Sequence, residues 1–281
     1  MPQPKNPVPA VLSIQDMSSI GRCSLTVALP ILSALGCQCV PLPTSVLSNH
    51  LEYPKYTLVD FTDHLHAFMN TWQDNGIHFE AIQSGFLASP EQIHLVLEAI
   101  DRFADDTTPI IVDPAMADDG KLYSIYTPAM VTEMRHLISR ADIIKPNYTE
   151  ALFLLDRPYS TDILTKIEIK DLCRDLSKLG PRHVILSSIP HQTEAYVAVY
   201  DSKTDELQKA ATPLIPVKAH GSGDIFTAVL TGMWLRGLSP RECAQKAATF
   251  TTAVLEYTVT HADSLCDGLL FEALLKELVT L

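Results

Sequence analysis

The sequence predicts an α/β fold in which a doubly wound, mostly parallel sheet is covered by helices on both faces. Short apolar runs alternate with helical patterns from residue 8 to residue 187. Polar residues follow the ends of several of these runs, which is where such sheets bind ligands. No linker, composition break or internal repeat divides the chain, so we predict one domain that spans residues 1–281.

The first half of the chain predicts strands and helices with recognisable ends. Gly36 and Gly76 follow two helical patterns, as expected of residues just past a helix. Ser89 and Pro90 open a third helix with an N-cap residue and a proline at the first helical position. The polar stretch 44–53 fits neither element. The predicted strands are 8–14, 37–42, 79–84 and 109–112, and the predicted helices are 23–35, 62–75 and 90–103.

The second half continues this alternation and then changes. Two runs late in the chain alternate in polarity, which predicts an antiparallel pair across the turn 201–205. A loop is predicted at 115–126. The predicted strands are 142–144, 183–187, 194–200 and 207–211, and helices begin near 127, 147, 165, 224 and 239, with a last one near the end of the chain.

Composition and charge exclude several classes of protein. Hydrophobic residues make up 47% of the chain and charged residues 19%, which supports a sizeable core and argues against global disorder. The net charge of −12 argues against nucleic acid or an anionic membrane surface as partners. No apolar run approaches the roughly 20 residues of a membrane span, and the first residues do not resemble a signal peptide.

The cysteines form no CxxC pair and no zinc-binding spacing. We therefore interpret them as reduced, mostly buried thiols of a cytoplasmic protein. They are Cys23, Cys37, Cys39, Cys173, Cys243 and Cys266.

The stretch 220–237, HGSGDIFTAVLTGMWLRG, carries the clearest chemical signal. Gly221, Ser222 and Gly223 lead into Asp224 and an apolar helical run. Glycine lets a backbone approach a ligand closely, and the start of a helix favours an anion. The Asp224 carboxylate could accept a proton from a hydroxyl group. The structural alternative is an ordinary helix start with an acidic residue in its first turn.

Polar and aromatic residues also follow the other predicted strands. Because the carboxyl ends of parallel strands meet at one edge, these residues could converge on one crevice. They are Asp16, Phe86, Asp113, Asn147 and Ser187. Motifs of other enzyme classes are missing, since the sequence has no GxGxxG after the first strand, no GxxxxGK[ST], no GxSxG and no HExxH.

Several short motifs lie in a fixed order along the chain. They are SIQ at 13–15, GRCSLT at 21–26, SNH at 48–50, DP at 113–114, PNYTE at 146–150 and GSGD at 221–224. GSGD resembles the GTGD anion hole of the ribokinase-like kinases, and the set as a whole resembles the pyridoxal kinase family, over about residues 8–278. GRCSLT resembles a branch described as pyridoxamine kinases. The resemblance implies a three-layer ribokinase-like fold and an ATP-dependent kinase that phosphorylates the 5′-hydroxymethyl group of a vitamin B6 vitamer.

The resemblance assigns roles at the phosphoryl group. It implies that Asp224 is the base, and that the N–H groups of 221–223 stabilise the transferring phosphoryl group. Asp113, Asp118 and Glu150 match positions that organise Mg²⁺, whose preferred ligands are oxygens. Residues matched to the ATP side are Asp113, Asn147, Glu150, Ser187, Gly221, Ser222, Gly223, Val217 and Leu255.

The resemblance also places Asp16, Ser45, His50 and Phe86 around the pyridine ring, with Phe86 as an aromatic wall. Asp16 stands where Ser is common, which motivates the hypothesis that its carboxylate favours pyridoxamine. Lys145 stands where a Thr is associated with a monovalent-cation site. A potassium requirement therefore stays open, and Lys145 itself could supply the positive charge.

Alternatives remain for residues and for function. Asn147 and Glu150 also form a capping box, and Asp113, Asp118 and His50 could be structural. The nearest rival function is a hydroxymethylpyrimidine kinase of thiamine synthesis, although its glycine-rich stretch after the first strand is missing. A sugar kinase of the same superfamily is less well supported, because the paired-glycine motif of such kinases near the N-terminus is absent from this sequence. A non-catalytic nucleotide- or vitamin-binding regulator need not keep Asp224. Family members are usually homodimers, so we expect a homodimer with small-molecule substrates.

Overall fold

The structure is a computed structural model that describes residues 7–51, 53–190, 195–213 and 219–280. Its strands alternate with helices through most of this part of the chain. The strands are β1 (Ala10–Ser18), β2 (Gln38–Leu47), β3 (Leu58–Asp60), β4 (Ala81–Ser84), β5 (Ile110–Val112), β6 (Ala117–Asp118), β7 (Lys121–Leu122), β8 (Ile143–Ile144), β9 (His183–Leu186), β10 (Ala195–Asp201) and β11 (Glu206–Thr212).

Nine of these strands form one sheet in the order β11-β10-β9-β8-β5-β4-β1-β2-β3. The strands from β9 across to β2 pair in parallel, whereas β10, β11 and β3 pair antiparallel at the two sides. The strand order reverses beside β1, between β4 and β2. In open parallel sheets, this reversal opens a crevice outside the carboxyl ends of the strands. The residues that follow β1, β2, β4, β5 and β8 therefore face one region.

Helices cover both faces of this sheet. Their sequences begin with the N-cap residues expected from the patterns, including Ser89, Thr127 and Ser239, each of which accepts a bond from a first-turn N–H group. They are α1 (Leu25–Ala34), α2 (Thr62–Asp74), α3 (Pro90–Phe103), α4 (Pro128–Ile138), α5 (Tyr148–Leu154), α6 (Lys166–Ser177), α7 (Ser222–Leu235), α8 (Pro240–His261) and α9 (Leu275–Val279).

Two apolar cores separate the three layers. Successive side chains of a strand point to opposite faces, so Leu12 and Val11 enter different cores, as do Val112 and Ile111. One core packs against α2 to α6, and the other packs against α1, α7, α8 and α9. The structure confirms the predicted α/β fold with a mostly parallel sheet between two helical layers. The one-domain prediction stays a prediction.

The carboxyl ends of the first two strands run further than the sequence suggested. β1 continues to Ser18 and β2 to Leu47, so the prediction that residues 44–47 lie outside a strand was wrong. The two strands stay paired through a register shift between Gln15 and Met17. The sequence pattern did not predict this pairing, because the side chains here are largely polar and line the crevice, whereas the hydrogen bonds between the strands are made by the backbone.

Two short features were not predicted from the sequence. β3 pairs antiparallel with the end of β2 at the sheet edge, and a two-stranded hairpin of β6 and β7 lies inside the predicted loop 115–126. The antiparallel pair β10–β11 is confirmed. Within the described residues, no helix is long and apolar enough to cross a membrane.

Candidate active site

The start of α7 is fixed by a glycine that no other residue can replace without strain. Gly221 is the N-cap of α7 and has a positive φ of 78°. A Cβ atom added there would lie 1.8 Å from the carbonyl oxygen of Arg22, so the backbone of 221 packs directly against the loop before α1. The first-turn N–H groups of α7 have no partner within the helix, which makes its N-terminus suited to an anion.

Asp224 lies in the first turn of α7 and is partly exposed, while protein atoms surround most of its carboxylate. Burial raises its pKa to about 7, and the nearby Asp113 and Asp16 carboxylates act in the same direction. The N–H group of Ser24 and the Lys145 ammonium oppose this shift. A carboxylate with a pKa near neutrality is well matched to accept a proton at physiological pH.

Ser24 connects two of the site's carboxylates, and sequence reasoning missed it. Its backbone N–H group donates to Asp224, and its Oγ donates to Asp16 Oδ1 at 2.5 Å. Its φ of 51° with ψ of −128° is a conformation that costs energy for a residue with a side chain. Strain of this kind persists where the surroundings impose it, often at functional sites. The GRCSLT run was the available signal, but it did not single out this residue.

Asp16 lies near the carboxyl end of β1 and is buried. Ser18 Oγ donates to its second oxygen at 3.2 Å. Burial raises the pKa of Asp16, and the bonds from Ser24 and Ser18 only partly oppose the rise. The Cys23 thiol lies nearby, and burial together with Asp224 and Asp16 raises its pKa. Cys23 is therefore a neutral thiol, and it is free and buried as the sequence suggested for most of the cysteines.

Unpaired buried oxygens lie near the carboxyl ends of β2 and β4, the two strands that flank β1. Ser45 Oγ on β2, with Ser84 Oγ and Gln83 Oε1 on β4, has no hydrogen-bond partner within the described residues. Leaving buried polar atoms unpaired is costly, and a bound polar ligand would remove that cost. Ser45 was predicted at the ring of the substrate, whereas Gln83 and Ser84 were missed.

Aromatic rings line the neighbouring part of the crevice. Phe86 is partly exposed, and its ring centroid lies 6.4 Å from that of Tyr123 and 6.2 Å from that of Tyr126. His50 is buried, with Nε2 2.7 Å from the carbonyl oxygen of Cys266. The ring centroid of His50 lies 4.7 Å from that of His220, so the SNH segment contacts the loop that precedes Gly221.

A buried ion pair lies beneath the start of α7. Lys145 Nζ is 2.8 Å from Asp113 Oδ2, and Thr227 Oγ1 donates to that same oxygen at 2.9 Å. Burial lowers the pKa of Lys145, but the Asp113 and Glu150 carboxylates more than offset this and the net pKa is raised. Lys145 is therefore a charged ammonium. Thr227 was not among the predicted residues, because its role depends on α7 facing β5.

Asn147 and Glu150 form a reciprocal capping box at the start of α5. Asn147 Oδ1 accepts from the Glu150 N–H group at 2.8 Å, and Glu150 Oε2 accepts from the Asn147 N–H group at 2.7 Å. Glu150 Oε1 accepts from Met116 and the Asn147 amide donates to Ala117, which ties the hairpin strand β6 to α5. The capping alternative is confirmed, while roles towards phosphate or metal stay predictions. Burial, with Asp113 nearby, raises the pKa of Glu150.

Asp113, Asp118 and Glu150 offer oxygen ligands only, a chemistry that fits Mg²⁺. Both oxygens of Glu150 already accept backbone bonds, and Asp113 holds Lys145 and Thr227. Across the described ranges, no group of three or more His, Cys, Asp or Glu side chains is arranged to hold a metal ion. The residues therefore suit a magnesium ion that arrives with nucleotide phosphates and keeps several waters, and the metal roles stay predictions.

Two of the three remaining predicted nucleotide residues, Ser187 and Leu255, lie within the described part of the chain. Ser187 follows β9, and its N–H group donates to the carbonyl of Pro146 at 3.1 Å, which places it beside Asn147. Leu255 lies on α8 and packs on the edge of the core beneath α7. Val217 lies outside the described residues.

Comparison with known proteins supports the class that this fold and site define. Residues 31–265 match the family model described as phosphomethylpyrimidine kinase. The pyridoxine/pyridoxal/pyridoxamine kinase of Bordetella pertussis is 29% identical over 273 residues, which cover 92% of each chain. The chloroplastic thiamine biosynthetic bifunctional enzyme TH1 of Arabidopsis thaliana is 23% identical over 89% of this chain, which spans about half (47%) of that enzyme.

The fold is shared with solved structures over almost its whole length. A provisionally named phosphomethylpyrimidine kinase from Bacteroides thetaiotaomicron is 38% identical, with a TM-score of 0.95 and 98% of this chain and 96% of that chain covered. Its orthorhombic form, with pyridoxal, has a TM-score of 0.92 and covers 96% of each chain. These similarities define a kinase of the ribokinase-like fold. The chain belongs to the phosphomethylpyrimidine kinase family, within its group of pyridoxal kinase relatives.

Gly221→Ala tests the close approach at the start of α7. The added Cβ would meet the Arg22 carbonyl at a positive φ, so we expect a loss of about 3 kcal/mol or more in the free energy of unfolding. Gly237→Ala is the matched control, because Gly237 has a φ of 82° but no atom within 4 Å of the new Cβ. It should cost only about 1–2 kcal/mol. Equal losses in chemical denaturation would contradict the proposed contact.

Ser24→Ala tests the bond to Asp16 while it keeps the backbone bond to Asp224. If Asp16 contacts the substrate, we expect KM for the acceptor to rise about tenfold, with kcat changed less, because one charge-assisted hydrogen bond is lost. Ser18→Ala, which removes the other donor to Asp16, should act in the same direction. Ser24→Gly should lose the same bond yet unfold at a higher denaturant concentration than Ser24→Ala, since glycine relieves the positive φ. Unchanged KM in all three variants would exclude this role.

Proposed function

We propose that this chain is an ATP-dependent kinase that phosphorylates the 5′-hydroxymethyl group of a vitamin B6 vitamer. The observation that carries the proposal is that Asp224 and the Gly221–Gly223 backbone lie together at the start of α7. A base with a pKa near 7 thus lies within one helical turn of N–H groups suited to an anion. The names of the Bordetella relative and the pyridoxal in the Bacteroides structure support the acceptor class.

In this mechanism Asp224 accepts the proton of the hydroxymethyl group as its oxygen attacks the γ-phosphorus of ATP. The new P–O bond forms while the bond to the ADP oxygen breaks, and ADP leaves with that electron pair. The N–H groups of Gly221, Ser222 and Gly223 stabilise the charge on the equatorial oxygens of the transferred group. Magnesium, when bound with ATP, neutralises phosphate charge, and Asp113, Asp118 and Glu150 would hold its waters.

The acceptor ring would lie between Asp16 and Phe86. Ser45 Oγ, Ser84 Oγ and Gln83 Oε1 are unpaired within the described part of the chain, and Gln83 and Ser84 point to opposite faces of β4, so the polar substituents of a pyridine could satisfy part of this set. Burial raises the pKa of Asp16 and so disfavours its carboxylate. A cationic amine or a protonated ring nitrogen nearby would oppose this effect and favour the ionised carboxylate. The proposal therefore includes a preference for pyridoxamine. Homodimer formation and a cytoplasmic location stay predictions.

A hydroxymethylpyrimidine kinase is the second candidate. The description of the family model and the similarity to TH1 favour it. The phosphoryl-transfer residues would act identically on a pyrimidine hydroxymethyl group, so the two functions differ only around the ring. A non-catalytic regulator is less well supported, because Asp224 keeps a base-like pKa at the start of α7.

Asp224→Asn tests the base. We expect kcat to fall by about 10²–10⁴ with little change in KM, because the base acts in the transition state. In the wild type, kcat/KM should rise as the pH passes about 7, since Asp224 must lose its proton to act. Turnover within tenfold of wild type would remove Asp224 from the mechanism.

The same variant reports on stability. Asp224 has an ordinary pKa of 3.8 and a folded-state pKa of about 7, so the folded state binds its proton more tightly. The contribution of Asp224 to wild-type stability should therefore fall as the pH rises from about 4 to above 7. Asn carries no such cost, and we expect Asp224→Asn to be more stable than wild type by roughly 1–4 kcal/mol at pH 8, with no gain near pH 4. Denaturant unfolding at both pH values measures the difference.

A panel of acceptors separates the candidate functions. We expect ATP consumption with pyridoxamine, pyridoxal and pyridoxine to exceed that with hydroxymethylpyrimidine by at least tenfold in kcat/KM. Asp16→Ser should lower the ratio of pyridoxamine to pyridoxal, because a neutral hydroxyl loses the attraction for a cation. The pyrimidine as best substrate would favour the second candidate, and no turnover with any acceptor would favour the regulator. An unchanged ratio would reject the role of Asp16.

A further inference from the structure

Lys145 places a positive charge inside the phosphoryl-transfer site. Its side chain is 7% exposed. The residue follows β8 directly, so the sheet fixes the position of its Cα atom. Nζ lies 2.8 Å from Asp113 Oδ2, and a Cβ added to Gly223 would be 3.1 Å from Nζ. The absent side chain of Gly223 therefore leaves the ammonium in contact with the first turn of α7, where the backbone N–H groups are.

The charges around Lys145 are unbalanced. Asp113, Glu150 and Asp224 all interact electrostatically with its ammonium. The guanidinium of Arg22, whose carbonyl packs against Gly221, pairs instead with Glu272, with 2.6 Å between the Arg22 Nε and Glu272 Oε1 atoms. Three carboxylates thus share one ammonium among these residues, and ATP would bring further negative charge. A fixed cation at this point offsets part of that repulsion.

A monovalent metal ion does not fit beside Lys145 in this arrangement. The resemblance to the pyridoxal kinase family associates this position with such an ion when a threonine hydroxyl stands there. Here the ammonium carries the same unit charge and occupies the contact with Asp113 Oδ2. A second cation at that contact would be repelled by the ammonium, which carries the same charge at close range.

We propose that Lys145 is a catalytic residue whose ammonium replaces the monovalent cation, contacts the transferring phosphoryl group and makes turnover independent of potassium. The inference rests on the proposed kinase function. Lys145 stays protonated throughout and forms no covalent bond. One of its N–H groups donates to Asp113. Because an ammonium has three donors, the others would serve the oxygens of the transferring phosphoryl group.

A purely structural ion pair is the alternative, since buried pairs are weak evidence of a stabilising or catalytic role. The two roles differ in their response to added cations. Lys145→Ala opens space beside Asp113, whereas Lys145→Met fills the space with a neutral chain of similar length. Lys170→Met is the matched control, because Lys170 Nζ also pairs with an aspartate, 3.0 Å from Asp205 Oδ2, but on the exposed surface.

The experiment measures kinetics in tetramethylammonium buffer, with and without added potassium or ammonium chloride. The wild type and Lys170→Met should change less than twofold on addition of either salt. Lys145→Ala should lose about 10²–10³ in kcat, as expected when one electrostatic contact to the transition state is removed. Added potassium or ammonium should raise the kcat of Lys145→Ala at least tenfold. Lys145→Met should lose as much kcat as Lys145→Ala, but neither salt should restore it.

A second measurement does not depend on turnover. The melting temperature of Lys145→Ala should rise with potassium but not with an equal concentration of tetramethylammonium, because the small ion neutralises the carboxylates around Asp113. The wild type should show no such difference. If the wild type needs potassium, or if Lys145→Met keeps normal kcat, the inference is wrong. If no acceptor is phosphorylated, the proposed function fails, while the melting curves still decide whether Lys145 occupies a cation site.

Discussion

The structure depends on one close backbone contact, between Gly221 and the carbonyl oxygen of Arg22. This contact holds the start of α7 against the loop that leads from β1 into α1. The two segments are almost 200 residues apart in sequence, yet each supplies half of the site. Asp224 and the first-turn N–H groups come from α7, while Asp16 comes from the end of β1 and Ser24 from the loop that follows it. A side chain at 221 would separate these halves, which is why glycine is required there.

Ser24 turns this contact into a chemical connection. Its amide reaches Asp224 and its hydroxyl reaches Asp16, so the proposed base and the proposed ring-binding carboxylate share one strained residue. A charge that binds at Asp16 would change the electrostatic environment of Asp224, because the two carboxylates already interact. In the proposed mechanism, recognition of the acceptor and activation of its hydroxyl group would therefore be coupled. Such coupling explains how an unfavourable backbone conformation is retained.

The site concentrates buried charge at a cost to stability. Burial raises the pKa values of Asp16, Glu150 and Asp224, which means that each carboxylate is less stable when ionised than it would be in water. The Lys145 ammonium compensates only part of this. Unpaired oxygens on β2 and β4 add to the cost within the described residues. Substrates that supply cationic and hydrogen-bonding groups would relieve it, so the ligand-free protein is preorganised for binding rather than for maximal stability.

Sequence periodicity determined the layers of the fold, because alternating strands and capped helices are local patterns. It also identified the glycine-bearing start of α7 with Asp224, and the capping box of Asn147 and Glu150. The periodicity did not predict that β2 continues beyond residue 42, because this part of the strand carries polar side chains at the crevice and lacks the apolar pattern of a buried strand.

Tertiary structure alone decided which distant groups meet. No pattern in the chain indicates that Ser24 joins Asp16 to Asp224 or that Thr227 supports Asp113. Nor does any pattern indicate that Gln83 and Ser84 on β4 and Ser45 on β2 have unpaired side-chain oxygens within the described residues. Lys145 was recognisable as a departure from a motif, but its contact with Asp113 and Gly223 depends on β8 ending beside α7. The sequence determines the local conformation and which side chains are available. The protonation states of those side chains depend on distances and burial, which are decided by how the sheet brings the strand ends together.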